Sequence, residues 1–118
     1  MNRKIYLVDV ALSVASGKML CESFSPVHEL VTDLAGWPVM THHMASRELM
    51  DPVAAKVVRQ VSWMPGAIEN MPTFRDDEDP KASVLAYIDR IRAAHGDTVE
   101  LDLGEQLPVL GLFAGLTA

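Results

Sequence analysis

The stretch Trp37 to Pro52, WPVMTHHMASRELMDP, sets two histidines side by side, behind a threonine and ahead of Arg47-Glu48. Imidazoles at such a position could bind a metal or move a proton. A zinc site needs three or four ligands converging at about 2.0–2.3 Å. Neighbouring side chains face opposite sides of a strand, or lie about 100° apart around a helix, so they rarely share an ion. A set would therefore need His28 with one of His42 or His43, and Glu29 or Asp33 to complete it. The zincin spacing His-Glu-x-x-His is absent, because His28-Glu29 is followed by Leu30, Val31 and Thr32. The favoured reading is structural: one histidine bonds a neighbouring backbone and the other faces water. His42 is taken as the organiser. Gly36 ends a helix, Trp37-Pro38 redirects the chain, and Thr41-His42 bonds back to it.

Nucleophilic chemistry finds no better support. Cys21, the single cysteine, sits in Met19-Leu20-Cys21, where a thiol behaves as a small buried hydrophobe. Neither the Gly-x-Ser-x-Gly elbow nor the Gly-x-x-x-x-Gly-Lys-Ser/Thr phosphate loop occurs. The expectation is no catalysis, no metal and no cofactor.

The strongest electrostatic feature is Asp76-Asp77-Glu78-Asp79. Acids ahead of a helix favour its positive end by about 0.3–1 kcal/mol each. Four exceed what capping needs, which suggests a negative patch for a basic partner. Methionines cluster mid-chain beside Trp37 and Trp63, and methionine serves both cores and adaptable surfaces. Trp63, Met64 and Phe74 are the candidate apolar anchors beside the acids, since aromatic anchors dominate interfaces.

These residues must be positioned by a recurring device. Ser25-Pro26, Asp51-Pro52 and Asp79-Pro80 each pair a capping side chain with a proline that suits the first helical turn. Helical spacing follows each: Val27, Leu30, Val31, Leu34; Val53, Val57, Val61, Met64; Val84, Ile88, Ile91. Gly36 and Gly96 read as stops, and so does Pro65. Helices are expected over 26–35, 52–64 and 80–95. At the N-terminus, a strand holding Ile5 and Leu7 runs into a short helix capped by Asp9 and stopped by Gly17. KMLCESF reads as a strand, and TVELDLG alternates as a half-buried strand does. GAIENMPTFRDDEDP reads as a loop. The fold class is α+β: a small antiparallel sheet packed by three to four helices, in a single domain 1–118.

The 118 residues carry a net charge of −6. Residues 1–50 hold four basic and five acidic side chains, and residues 51–118 six and eleven. Nucleic-acid binding needs a basic face, so a direct nucleic-acid ligand is not expected. The apolar tail LPVLGLFAGLTA falls short of the roughly 20 residues that span a bilayer. It reads as core or as a homodimer contact from Leu107 to Leu116. No signal segment is expected, because Asp9 interrupts the N-terminal apolar run.

The stretches LSVASGKML and VHELVTDLAGWPVMTHHM resemble a group of small bacteriophage proteins. Their pattern is Ser-Val-x-(Ser/Thr)-Gly-(Lys/Arg)-x-Leu, then Val-x-Glu-Leu, then Gly-x-x-(aliphatic)-Thr-His. The matching positions are Ser13, Val14, Ser16, Gly17, Lys18, Leu20, Val27, Glu29, Leu30, Gly36, Thr41 and His42, over residues 10–50. Members of that group often have glutamine where this chain has His43, and a cysteine or arginine cluster after it. ASRELMDP departs from that. The resemblance implies a non-enzymatic inhibitor in the host cytoplasm, of the anti-CRISPR kind. It would bind a type I interference complex or its nuclease–helicase through Asp76, Asp77, Glu78 and Asp79, with Trp63, Met64 and Phe74 beside them. The alternatives are a small metal-dependent hydrolase built on His28, His42 and His43, and a phage accessory or structural protein.

Overall fold

A computed structural model describes residues 3–21, 23–72 and 78–107. The elements run β1 (Arg3–Leu7), α1 (Val8–Ser16), α2 (Ser25–Ala35), a 3-10 turn (Thr41–Ala45), α3 (Arg47–Gln60), α4 (Met64–Glu69), α5 (Pro80–His95) and β2 (Thr98–Asp102). The fold is α+β, as its alternations and helical spacings require.

Helix α1 is the centre. Val8, Val10, Ala11, Leu12 and Val14 are all buried, and a helix apolar on most sides must lie inside. It packs on α2, α3 and α4. Its one polar inward group, Ser13, is fully used: the hydroxyl donates to Asp9 O (2.7 Å) and accepts from Leu20 N–H (2.9 Å). The second bond holds residues 18–21 against the helix as irregular chain. No strand forms at residues 18–21, 23 and 24, contrary to the reading of KMLCESF. Leu20 is buried and Met19 exposed, an alternation that a turn produces as readily as a strand.

Strands β1 and β2 pair antiparallel, Arg3 with Asp102 through Leu7 with Thr98. Tyr6, Val99 and Leu101 face the core. The Tyr6 hydroxyl donates to Asp33 on α2 (2.6 Å), and the Lys4 ammonium bridges Glu29 and Asp33 at 3.0 Å each. Burial, then the Asp33 carboxylate, pushes the Tyr6 phenol far above its ordinary value. Burial also raises Tyr87, and these are the chain's two tyrosines. Above pH 10.0 the unfolded chain loses phenol protons that the folded chain keeps, so stability present below that pH falls as pH rises. Melting temperature should decline from about pH 10, with tyrosinate absorbance appearing only as the chain unfolds.

Helix boundaries differ from the sequence reading in four places. Helix α3 starts at Arg47, so Pro52 lies inside it and Asp51 is not its cap. Buried Leu49 explains this, because it extends the Val53–Val57 stripe one turn upstream. The same helix ends at Gln60, and Pro65 opens α4 in place of ending α3. Gly66, expected in a loop, is therefore helical. Leu7 and Phe24, not Asp9 and Ser25, hold the cap positions of α1 and α2. The glycine stops hold: Gly17 and Gly36 take left-handed conformations at φ 73° and 80°, which cost a side-chain-bearing residue strain.

Candidate partner-binding surface

The paired histidines divide their roles. His43 is buried, 2 % exposed, and its Nδ1 accepts the Met40 backbone N–H at 3.0 Å. Its ring packs edge-on to Trp37, centroids 5.3 Å apart. His42 is exposed and leans on His43 at 4.2 Å. The organising histidine is thus His43, correcting the assignment to His42: the 3-10 turn aims the third residue after Met40 inward. His28 also serves the loop, its Nε2 donating to Val39 O. Among the described residues, no three His, Cys, Asp or Glu side chains gather where they could hold one ion.

Cys21 is half-buried and its thiol donates to Ser23 O (3.3 Å). Burial raises its pKa, which keeps it a thiol at neutral pH.

Lys56 is the most committed polar group. It is 7 % exposed, and its ammonium donates to Leu34 O (2.7 Å), Leu103 O (2.8 Å) and Glu105 O (2.5 Å). Gln60, one turn on, bonds both the N–H and the carbonyl of Asp102. Together they staple residues 102–105 to α3 and to the end of α2. Burial lowers the Lys56 pKa. The sequence held a signal for this: Leu49, Val53, Lys56 and Gln60 fall on one helical face.

Among the described residues, Glu78 and Asp79 do not share a patch with Trp63 and Met64. Glu78 and Asp79 are exposed at the start of α5, and Asp79 caps it by accepting from Ala82 N–H (3.1 Å). Asp79→Ala should cost about 1 kcal/mol in thermal unfolding, and Glu78→Ala less than about 0.5 kcal/mol. Asp76, Asp77 and Phe74 lie outside the described residues. Trp63 is half-buried and stacks on His95, centroids 4.1 Å apart and 5° from parallel. Tyr87 donates to Ala67 O (2.9 Å), a second tie between this segment and α5. Trp63 therefore sits at the far end of α5 from Glu78, and 16 residues of helix make that about 24 Å. Met64 is 0 % exposed. It fills the core and is not a surface anchor, because Pro65 redirects the chain and turns Met64 inward at the start of α4. For the proposed dimer contact, Leu107 is tied back to Ala35 O (2.8 Å), and residues 108–116 lie outside the described residues.

Beside Asp79 begins a groove of about 840 Å3 between α1, residues 19–21 and 23, Pro26 and the α5 face from Pro80 to Arg92. Leu7, Val10, Met19, Leu20, Val84 and Leu85 give it an apolar wall, and Pro80 lies at the end next to Asp79. Leu7, Met19 and Leu85 are among the large apolar side chains left exposed. Arg92, also in the groove, is matched by Asp9 (3.4 Å) and Asp89 (3.6 Å). Sequence reading missed this wall, although Leu85 standing off the Val84–Ile88–Ile91 stripe marked it.

No helix among the described residues is long and apolar enough to cross a membrane. No curated protein and no solved structure matches this chain. Residues 8–67, the segment that builds α1, α2, the histidine turn and α3, match a family described as a domain of unknown function, DUF7736, and the chain belongs to that family.

Proposed function

We propose that this chain is a non-enzymatic binding protein that occupies a basic, partly apolar surface of another macromolecule. The observation that carries the proposal is the groove beside α5, whose wall is apolar, whose charged lining is Asp9, Lys81 and Arg92, and whose Pro80 end follows the exposed acids Glu78 and Asp79 in the chain. Apolar side chains supply binding energy once desolvated, while acids steer a basic surface toward them and set the register. The net charge of −6 acts in the same sense. The polar groups nearest to chemistry are spent on the fold: His43 on Met40, His28 on Val39, Lys56 on three carbonyls.

The finer reading is an anti-CRISPR inhibitor acting in the host cytoplasm. Its partner is a type I interference complex or the nuclease–helicase that serves it, whose nucleic-acid channels are basic. The phage resemblance over residues 10–50 supports this reading.

The test is target-DNA cleavage by purified interference complex and nuclease–helicase with added chain. Wild type should inhibit. A triple variant, Asp76→Lys, Asp77→Lys and Glu78→Lys, should lose inhibition by at least about tenfold. Asp79 is spared because it caps α5. Undiminished inhibition by the folded triple variant would remove the electrostatic account.

A further inference from the structure

The two edges of the β1–β2 sheet are finished differently. Val8 N–H donates to Asp97 O (2.8 Å), which continues the register with a hydrogen-bonded pair. Alternation then makes Tyr6–Val99 and Lys4–Leu101 the hydrogen-bonded pairs. The backbone groups of Arg3, Ile5 and Leu7 therefore point away from β2, as do those of Thr98, Glu100 and Asp102. Asp102 confirms the parity, since both its N–H and its carbonyl are taken by the Gln60 side chain.

On β2 this outer edge is protected, by that amide and by the charged side chains of Glu100 and Asp102. On β1 the outward positions carry Arg3 at the strand's start, drawn to Glu100 (3.4 Å), then Ile5, 64 % exposed, and Leu7, 52 % exposed. Lys4, the one charge amid the strand, is turned to Glu29 and Asp33. Among the described residues β1 pairs with β2 alone. Proteins commonly defend such an edge with charge, proline or a bulge, and two strands alone are marginal.

We propose that the outer edge of β1 pairs antiparallel with β1 of a second copy of this chain, giving a four-stranded sheet across a two-fold axis. The edge is self-complementary. Centred on Ile5, the pairing lets each Ile5 exchange N–H···O=C bonds with the other copy's Ile5. Each Leu7 N–H meets the other copy's Arg3 carbonyl, while the Leu7 carbonyl starts α1. Leu7 and Ile5 of both copies then form one apolar strip on the outer face. Arg3 comes opposite Leu7, and Lys4 opposite Tyr6, so no like charges oppose. The occupant is a second copy because this register pairs the Ile5 N–H and carbonyl and the Leu7 N–H, and sets Arg3 and Lys4 opposite uncharged residues. Leu7 lines the α5 groove and Ile5 does not, so substitutions at Ile5 probe this contact apart from partner binding.

The test combines sedimentation equilibrium with amide hydrogen exchange on the full chain. A dimer is expected, with the Ile5 and Leu7 amides, which face away from β2, slowed at least about tenfold relative to dilute monomer. Ile5→Pro removes an outward donor without touching the β1–β2 ladder. Ile5→Lys sets two ammonium groups against each other across the axis. Each should weaken dimerisation at least about tenfold with the circular dichroism spectrum unchanged. A chain monomeric to about 1 mM overturns the proposal. So does a dimer whose Ile5 and Leu7 amides exchange at the monomer rate, or one unaffected by Ile5→Lys.

Discussion

Lys56→Met lowers the free energy of unfolding by about 3–5 kcal/mol, read from urea denaturation. An ammonium offers three donors, and all three are engaged, by Leu34, Leu103 and Glu105. Leu34 belongs to the last turn of α2, where helix carbonyls lack partners and the dipole favours a cation. Methionine keeps the stem's packing and removes every donor. Each orphaned buried acceptor costs about 1–3 kcal/mol, less where water reaches it. Lys56→Arg does not rescue, because a planar fork cannot address three carbonyls set around a point. The variant should also speed amide exchange at Leu107, whose N–H is held by Ala35 O beside the same staple. Burial holds the Lys56 pKa below 10.5. Between its folded value and 10.5 the unfolded chain holds a proton that the folded chain has lost. This residue thus adds stability as pH rises through that window, and Lys56→Met abolishes that increment.

His43→Ala lowers the melting temperature by roughly 5–15 °C, whereas His42→Ala changes it by less than about 2 °C. The two residues are adjacent, yet only His43 is buried, caps the Met40 N–H and packs on Trp37. The ring accepts at Nδ1, so its proton resides on Nε2, and a second proton would face the Met40 donor. Burial, and secondarily His42, lowers the His43 pKa below 6.5. Under acid conditions the unfolded chain takes up a proton that the folded ring resists. Stability present above pH 6.5 is therefore lost as pH falls through the folded value. In His43→Gln that acid slope should flatten.

The contrast between His42 and His43 shows where the sequence was legible. Paired histidines in a Gly-Trp-Pro loop announced a structural turn, but their facing depends on the 3-10 winding of Thr41–Ala45, which adjacent residues do not encode. The α5 limits, the glycine stops and the alternating β2 were readable because each rests on local chemistry: Asp79-Pro80, left-handed glycine, period two. Pro52 misled, because a proline suits a first turn and Asp51 precedes it, while the burial of Leu49 that pulls α3 back to Arg47 is a tertiary effect. Lys56 was hidden differently. Its partners are backbone carbonyls 22, 47 and 49 residues away, and carbonyls carry no sequence signature. The candidate surface was half visible: its acids stood out, but its apolar wall comes from Leu7, Met19 and Leu85, far apart in the chain.

Surface plasmon resonance with immobilised type I interference complex, and separately with its nuclease–helicase, measured across a salt series, tests the binding account most directly. The account predicts saturable binding to one of them. Its association rate should fall at least about tenfold between 50 mM and 500 mM salt, and by a similar factor in the triple variant at residues 76–78. Binding to neither, or binding whose association rate ignores both salt and charge reversal, contradicts it.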